Sequence, residues 1–301
     1  MPIILLTGAT GFLGSHLLKR FINEGYEVIV LKRSFSNINR IENVIKQVKV
    51  YDIDLVDTQS IFINHKIDIV VHVATNYGRN IKKNSELVLN NIYFSILLLE
   101  LSLQYGVKKF INTDTMLKHN VNGYALSKHQ FIQWGKVLAM DKKIALINLK
   151  IEFIYGPNDN ENKLVTKIIR DLLNNVEFIS LTDGSQKRDL VYVDDVVNAY
   201  LCVIKNAISK GFIEFQVGSG CSISIKQVVF QIKKNVEKKC LKKVKTKMLF
   251  GDLSKRQFEP SEIMTNIEGL KSIGWEPIIN IFDGLDITIG AELERYHKIN
   301  I

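Results

Sequence analysis

The sequence predicts an α/β protein: a doubly wound parallel sheet with a smaller C-terminal substrate lobe. Three observations lead there. Short β-branched runs alternate with helical periodicity through the first half, a glycine-rich turn follows the first run, and the pattern loosens after Tyr155-Gly156-Pro157.

The runs fall at 3–6, 28–31, 48–51, 69–73, 110–111 and 144–149, with helical periodicity over 12–24, 86–105 and 125–140. Six strands with intervening helices are covered most economically as a sheet wound on both faces. Residues 190–193 and 212–217 read as further strands, so the expected dinucleotide-binding domain is 1–156 with 188–217 re-entering the sheet. The second lobe is then 157–187 with 218–301.

A chain of 301 residues that is 46% hydrophobic and 24% charged can bury a sizeable core. The cysteines Cys202, Cys221 and Cys240 are odd in number and show no C-x-x-C spacing, so neither a disulfide framework nor a metal site is expected, and a reducing cytoplasm is. The apolar start at 1–6 is too short for a signal sequence and runs straight into the glycine motif. No stretch reads as ~18 apolar residues, so no membrane span is expected. Of the net charge of +9, +7 sits between Lys233 and Lys247, where eight lysines accompany one glutamate. That segment has no aromatic residue to stack on bases, so it reads as a solvated lysine face, with no nucleic-acid or membrane partner expected.

Gly8-Ala9-Thr10-Gly11-Phe12-Leu13-Gly14 lies between the first strand and the first helix, where a pyrophosphate needs close backbone approach and a helix N-terminus. A side chain at Gly8 or Gly11 is expected to obstruct that approach. About 20 residues on, where an acidic residue would accept a ribose 2′-hydroxyl, stand Lys32-Arg33-Ser34. Two cations and a hydroxyl suit a 2′-phosphate, so the expected cofactor is NADP.

Tyr124-x-x-x-Lys128 opens a helix, so both side chains share one face. A phenol titrates near ~10, and an adjacent ammonium is expected to make it a competent acid near neutrality. Tyr105 and Lys109 have the same spacing but fall between a helix end and a strand, so context selects Tyr124. Thr113, at a strand end, is placed to bond a substrate oxygen, with Ala74 and Thr75 bordering the nicotinamide ribose. His72 reads as a strand residue with a satisfied imidazole.

These residues resemble the extended short-chain dehydrogenase/reductases of the NAD-dependent epimerase/dehydratase family, whose cofactor domain is of the Rossmann type. The resemblance also rests on Val71-His72-Val73-Ala74, Asn91-Ile92, Gln186-Lys187-Arg188-Asp189, Val193-Asp194-Asp195-Val196 and Gly274-Trp275-Glu276-Pro277. Asn112-Thr113-Asp114-Thr115, Glu161-Asn162-Lys163 and Phe215-Gln216-Val217-Gly218 resemble the branch that reduces nucleotide-linked 4-keto-6-deoxyhexoses. The resemblance implies further cofactor contacts from Asp54, Leu55, Val73 and Asn91, and substrate contacts from Tyr77, Asp114 and Asn162. It also implies that Arg188 and Arg256 converge on the substrate diphosphate, and that the helices at 86–105 and 125–140 pair with their copies in a homodimer. The chain departs from the group in having only ten residues between Thr113 and Tyr124, and in Lys150 and Phe153, where arginine and asparagine are usual.

Dehydratases of the group carry an Asp-Glu pair after the threonine, for elimination needs an acid and a base. Here that pair is Asp114-Thr115. Epimerase-reductases of the group use a cysteine and a histidine, and every cysteine of this chain lies beyond residue 200. A ketoreductase needs only hydride donor, tyrosine, lysine and hydroxyl. The expected activity is NADPH-dependent reduction of a 4-keto sugar in deoxysugar biosynthesis for surface polysaccharide; 4-epimerisation with bound NAD and non-catalytic NADP binding stand as alternatives.

Overall fold

A computed structural model describes residues 2–78, 83–140, 144–208, 210–241, 243–255 and 260–299. They form two units: Met1–Ile151 with Val197–Gln216 and Gly269–Trp275, and Glu152–Val196 with Val217–Glu268 and Glu276–Ile301.

The first unit is built on seven strands. In chain order come β1 (Ile3–Thr7), α1 (Phe12–Asn23), β2 (Glu27–Lys32), β3 (Lys49–Asp52), α2 (Thr58–Asn64) and β4 (Ile69–His72). Next, α3 (Ser85–Leu87) runs through a π-helical segment (Val88–Tyr93) into α4 (Phe94–Gln104), followed by β5 (Lys109–Thr115), α5 (Gly123–Ala139) and β6 (Ala145–Ile151). The strand order is β11-β6-β5-β4-β1-β2-β3, where β11 is Gly211–Val217. The winding reverses between β1 and β4, and in such sheets ligands bind beyond the carboxyl ends of the strands at that reversal. Leu5, Ile29, Val70, Phe110 and Leu146 pack with Leu98, Leu99 and Phe131 in one buried cluster that fixes α4 and α5 against the sheet.

The second unit holds β7 (Phe153–Tyr155), α6 (Leu164–Leu173), β8 (Phe178–Leu181), β9 (Lys187–Arg188) and β10 (Leu190–Tyr192). Helix α7 (Val193–Lys205) begins there. Later come β12 (Ile223–Ser224), α8 (Ile225–Cys240), β13 (Lys247–Phe250), α9 (Glu268–Lys271, in the first unit) and α10 (Ile281–Ile299). Small two-stranded pairings, β10 with β7, β12 with β9 and β13 with β8, organise this unit.

The domain expectation differs from this division in its boundaries. Residues 188–196 do not return to the main sheet: β6 ends at Ile151, and after Glu152 the chain pairs Phe153–Tyr155 in parallel with Leu190–Tyr192. Only Val197–Gln216 and Gly269–Trp275 rejoin the first unit. The expectation that no stretch suits a membrane also needs correction. Ser85–Gln104 is long and apolar enough by length and composition, and Leu98 and Leu99 within it are buried in the core cluster.

The glycines of the first turn have separate causes. Gly8 has φ +73, and a Cβ there would lie 2.6 Å from the Ala74 amide nitrogen, so the chain after β4 forbids a side chain. A Cβ on Gly14 would lie 2.0 Å from the Gly8 carbonyl oxygen. On Gly11 it would meet only that oxygen, at 3.2 Å, and otherwise open space. Gly8 is therefore required by the protein's own packing, and Gly11 is the position that clears space. Gly8→Ala is expected to destabilise by about 2–5 kcal/mol, combining left-handed strain with overpacking, and Gly11→Ala by less than about 1 kcal/mol. Thermal melting of the two variants checks this, and equal losses would overturn the distinction.

Candidate functional site

At the carboxyl end of β1, Thr7 closes a small network. Its hydroxyl oxygen accepts from the amides of Val73 (3.2 Å) and Ala74 (3.1 Å) and lies 2.8 Å from His72 Nδ1. On the other side of the imidazole, Nε2 lies 2.8 Å from Ser95 Oγ, whose hydrogen goes to the Asn91 carbonyl. The serine oxygen is therefore the acceptor from Nε2–H, and Nδ1 the acceptor from Thr7. Burial holds the imidazole neutral, pushing it down to about 3 with help from the Lys128 charge. His72 is structural, as its strand position suggested.

Asn91, in the π-helical segment, is buried. Its amide donates to the Asn76 carbonyl and to Ser127 Oγ, and its oxygen accepts from the Asn76 amide at 2.8 Å. One side chain thus ties the loop after β4, which carries Val73, Ala74 and Thr75, to α5. Ser127 in turn donates to the Tyr124 carbonyl. A π-helical turn re-aims one residue relative to a regular helix, and such turns recur at functional sites.

Helix α5 starts on Asn122, whose side chain accepts from the Ala125 amide at 2.8 Å. That cap places Tyr124 in the first turn and Lys128 one turn below. Lys128 is 1% exposed, and its ammonium donates to Asn112 Oδ1 at 3.4 Å. From there Asn112 donates to Asn148, which donates to Asp114 and Glu214. Both Asp114 oxygens are engaged inside the protein, one by Asn148 and one by the Thr115 amide. Its carboxylate is therefore held by the protein, close enough for its charge to act on Tyr124 and Lys128.

Two threonines separated by one strand position serve two tyrosines. Thr113 lies 2.5 Å from the phenol of Tyr200, a fully buried residue of α7. Thr115 is placed where a bond from its hydroxyl favours the charged form of Tyr124. Burial, then the neighbouring Tyr77 phenol, holds the Tyr124 phenol above the ordinary tyrosine value, while the Thr115 bond works downward. Thr115 also accepts from the Leu117 amide at 3.2 Å, which leaves its single hydrogen for the phenol oxygen. Neither Thr115 nor Tyr200 was singled out as a site residue from sequence; period-two alternation put Thr115 on the Thr113 face, but Tyr200 lies 87 residues away.

The residues fit a dinucleotide. Gly11 leaves open space, the first-turn amides of Phe12, Leu13 and Gly14 lack intrahelical acceptors, and no acidic residue stands in that turn. Thr10 is half-buried beside them. At the ribose end the cations are partly committed: Lys32 is paired with Asp52, and Arg33 donates to Asn90 at 2.5 Å. Asp54 accepts from the amide and hydroxyl of Ser34, which hold its carboxyl below the usual range, and Leu55 is 72% exposed.

Tyr77 is half-exposed, its ring centroid 5.0 Å from that of Tyr124. In the second unit Asn162 is exposed on the loop before α6. Arg188 on β9 is buried and donates to the Lys187 carbonyl at 2.7 Å; its charge opposes the burial that pushes Glu152 up to about 7. Arg256 lies outside the described residues, so the expected convergence of the two arginines has no geometry here.

Residues 4–218 match the NAD dependent epimerase/dehydratase family. The chain is 35% identical over 289 residues to CDP-abequose synthase of Salmonella muenchen, covering 94% of this chain and 95% of that protein. To CDP-abequose synthase of Salmonella typhimurium strain LT2 it is 28% identical, over 94% and 96%. The crystal structure of UDP-glucose 4-epimerase from Thermotoga maritima with UDP-glucose is similar at TM-score 0.84 and 25% identity, covering 98% of this chain and 99% of that one.

Burial depresses Lys128 to about 8, with the Asp114 charge opposing. The unfolded chain holds that proton more tightly, so the buried charge costs stability below about pH 8, and the cost disappears as pH rises toward ~10.4. Lys128→Met is expected to raise the unfolding free energy at pH 7 by roughly 1–3 kcal/mol while abolishing turnover. Melting curves at pH 7 and pH 10 check it: the gain should shrink at the higher pH, and a loss at pH 7 would overturn it.

Proposed function

The chain belongs to the NAD-dependent epimerase/dehydratase family, and on that premise we propose that it reduces the C4 keto group of a nucleotide-linked 4-keto-6-deoxyhexose with NADPH. The observation that carries this reading is the division of labour on β5. Both oxygens of the Asp114 carboxylate are engaged internally, and the next residue, Thr115, carries a hydroxyl and no acid. That leaves a proton donor and no adjacent carboxylate pair for elimination. The likeness to CDP-abequose synthases over nearly the whole chain supports the same branch.

When bound, the reduced nicotinamide supplies a hydride. The chain's part is proton placement. Tyr124 gives its proton to the C4 oxygen as that oxygen gains charge, and Thr115 donates to the phenolate left behind. Thr113, held by Tyr200, orients the carbonyl. Lys128, buried one turn below, provides a positive charge and a donor toward the cofactor ribose. Arg33 is the cation assigned to the 2′-phosphate, because Lys32 is already paired with Asp52. Arg188 and Arg256 are assigned the substrate diphosphate, a role that guanidinium geometry suits. The reaction is assigned to the cytoplasm, a placement supported by three free cysteines.

A second reading, 4-epimerisation with bound NAD, is favoured by the Lys32–Asp52 pair, which leaves less positive charge for a phosphate. A panel of CDP-, dTDP- and GDP-4-keto-6-deoxyhexoses separates the two. Stoichiometric NADPH oxidation with one of them, lost in Tyr124→Phe and weakened in its NADPH requirement by Arg33→Ala, is the expected result. Interconversion of 4-hydroxy sugars without net NADPH consumption would replace the reductase with the epimerase. Binding without turnover would leave a cofactor-binding protein.

We also propose a homodimer through the π-helical segment, α4 and α5. Tyr93, Trp134 and Val137 are 61%, 56% and 62% exposed on these helices, an apolar surface suited to a second copy. Sedimentation at micromolar concentration is expected to give a dimer that Trp134→Glu dissociates; a monomeric wild type would refute it.

A further inference from the structure

Helix α8 of the second unit is two-faced. Val228, Val229, Ile232 and Val236 are buried, whereas Lys226, Phe230, Lys234 and Lys238 are exposed at successive four-residue steps. Beyond the helix, exposed Lys243, Lys245 and Lys247 alternate with buried Val244 and Thr246, so these three lysines leave the same side of the chain. The two stretches adjoin. The Phe230 ring lies 5.5 Å from that of Phe250 on β13, Lys226 Nζ is 5.1 Å from the Phe250 centroid, and Lys233 donates to the Thr246 carbonyl at 3.5 Å.

Little negative charge offsets them. Glu237 is the only acidic residue in 225–250, and it accepts from the Val244 amide at 3.0 Å. Across from the helix, Asp286 of α10 pairs with Lys239 at 2.8 Å. Between Phe230 and Phe282, which are 50% and 53% exposed, opens a groove of about 290 Å³ with Lys234 on its lining.

Leu241 sits at the end of α8. It is 93% exposed and adopts φ 49, ψ 33, a left-handed conformation that glycine or asparagine takes at lower cost. In water an apolar side chain gains nothing from that position. Against a hydrocarbon boundary it would, and lysines flanking apolar residues are the composition of helices that lie on anionic bilayers, the stems packing low and the ammonium groups reaching the headgroups.

We propose that this face, formed by α8, Leu241 and residues 243–247, docks the protein on an anionic lipid surface. It is independent of the reaction catalysed. The lysine count alone reads as a solvated face; the structure adds an exposed leucine, two exposed phenylalanines and a groove on the same side as the lysines. Charge complementarity selects an anionic bilayer over a neutral one, and the exposed leucine, which has no ring to stack on a base, favours the bilayer over a nucleic acid.

Flotation of the full chain with phosphatidylcholine vesicles, with and without about one third phosphatidylglycerol, tests the proposal. Binding should require the anionic lipid and weaken at least about tenfold when Lys234, Lys238, Lys243 and Lys245 are all changed to Gln, since each lysine near such a surface contributes several-fold. Leu241→Asn should weaken it about threefold or more while leaving melting unchanged or raised, because asparagine tolerates the left-handed backbone and removes the apolar side chain. No flotation, equal flotation with pure phosphatidylcholine, or binding that the quadruple variant retains would overturn the proposal. So would release of the protein from vesicles by equimolar single-stranded oligonucleotide, which would mark a general polyanion surface.

Discussion

A buried line of hydrogen bonds organises the first unit: Thr7 to His72, His72 to Ser95, Ser95 to the Asn91 carbonyl, the Asn91 amide to Ser127, and Ser127 to the carbonyl of Tyr124. It begins where β1 feeds the glycine turn and ends on the backbone of Tyr124. Each polar group inside this core depends on its neighbour, because an unpaired one would cost ~1–3 kcal/mol. Two loops and a helix from separate parts of the sequence are therefore fixed to a common frame by buried side chains. A second polar line, from Lys128 through Asn112 and Asn148 to Asp114 and Glu214, crosses the adjacent strands.

These lines explain how ionisation is arranged around Tyr124. Desolvation raises the phenol and lowers the lysine, the usual consequence of burying groups that would rather carry charge in water. Thr115 offsets part of this with a neutral hydroxyl, which needs no charge of its own in a dry site. Tyr200 does for Thr113 what Leu117 does for Thr115: it engages one hydroxyl and so limits how that hydroxyl can point. A tyrosine buried as fully as Tyr200 stays protonated throughout the physiological range, burial being the first cause of its raised value.

Much of this was legible in the chain. Strand period and the glycine turn located all six early strands, because a parallel sheet buried on both faces demands continuous apolar runs. Tyr124 was separated from Tyr105 by helix context, and α5 does begin one residue before it. What escaped was pairing between distant side chains. Nothing local marks Tyr200 as a partner of Thr113, or Asp52 as the acid that meets Lys32. The reason for Gly8 was hidden for the same cause, since Ala74 is 66 residues away. The division at Ile151 was missed because the break between two strands is a single residue, Glu152, and carries no period of its own.

The contrast between Gly8 and Lys128 bears on how such chains decay. Gly8 is demanded by the folded backbone, so a descendant that had lost its chemistry would still be under pressure to keep it. Lys128 is the reverse: an ammonium that burial disfavours, so the fold itself gives no reason to keep its charge there. A glycine fingerprint therefore outlives its enzyme, and in a lineage drifting toward a scaffold the lysine would be the earlier casualty.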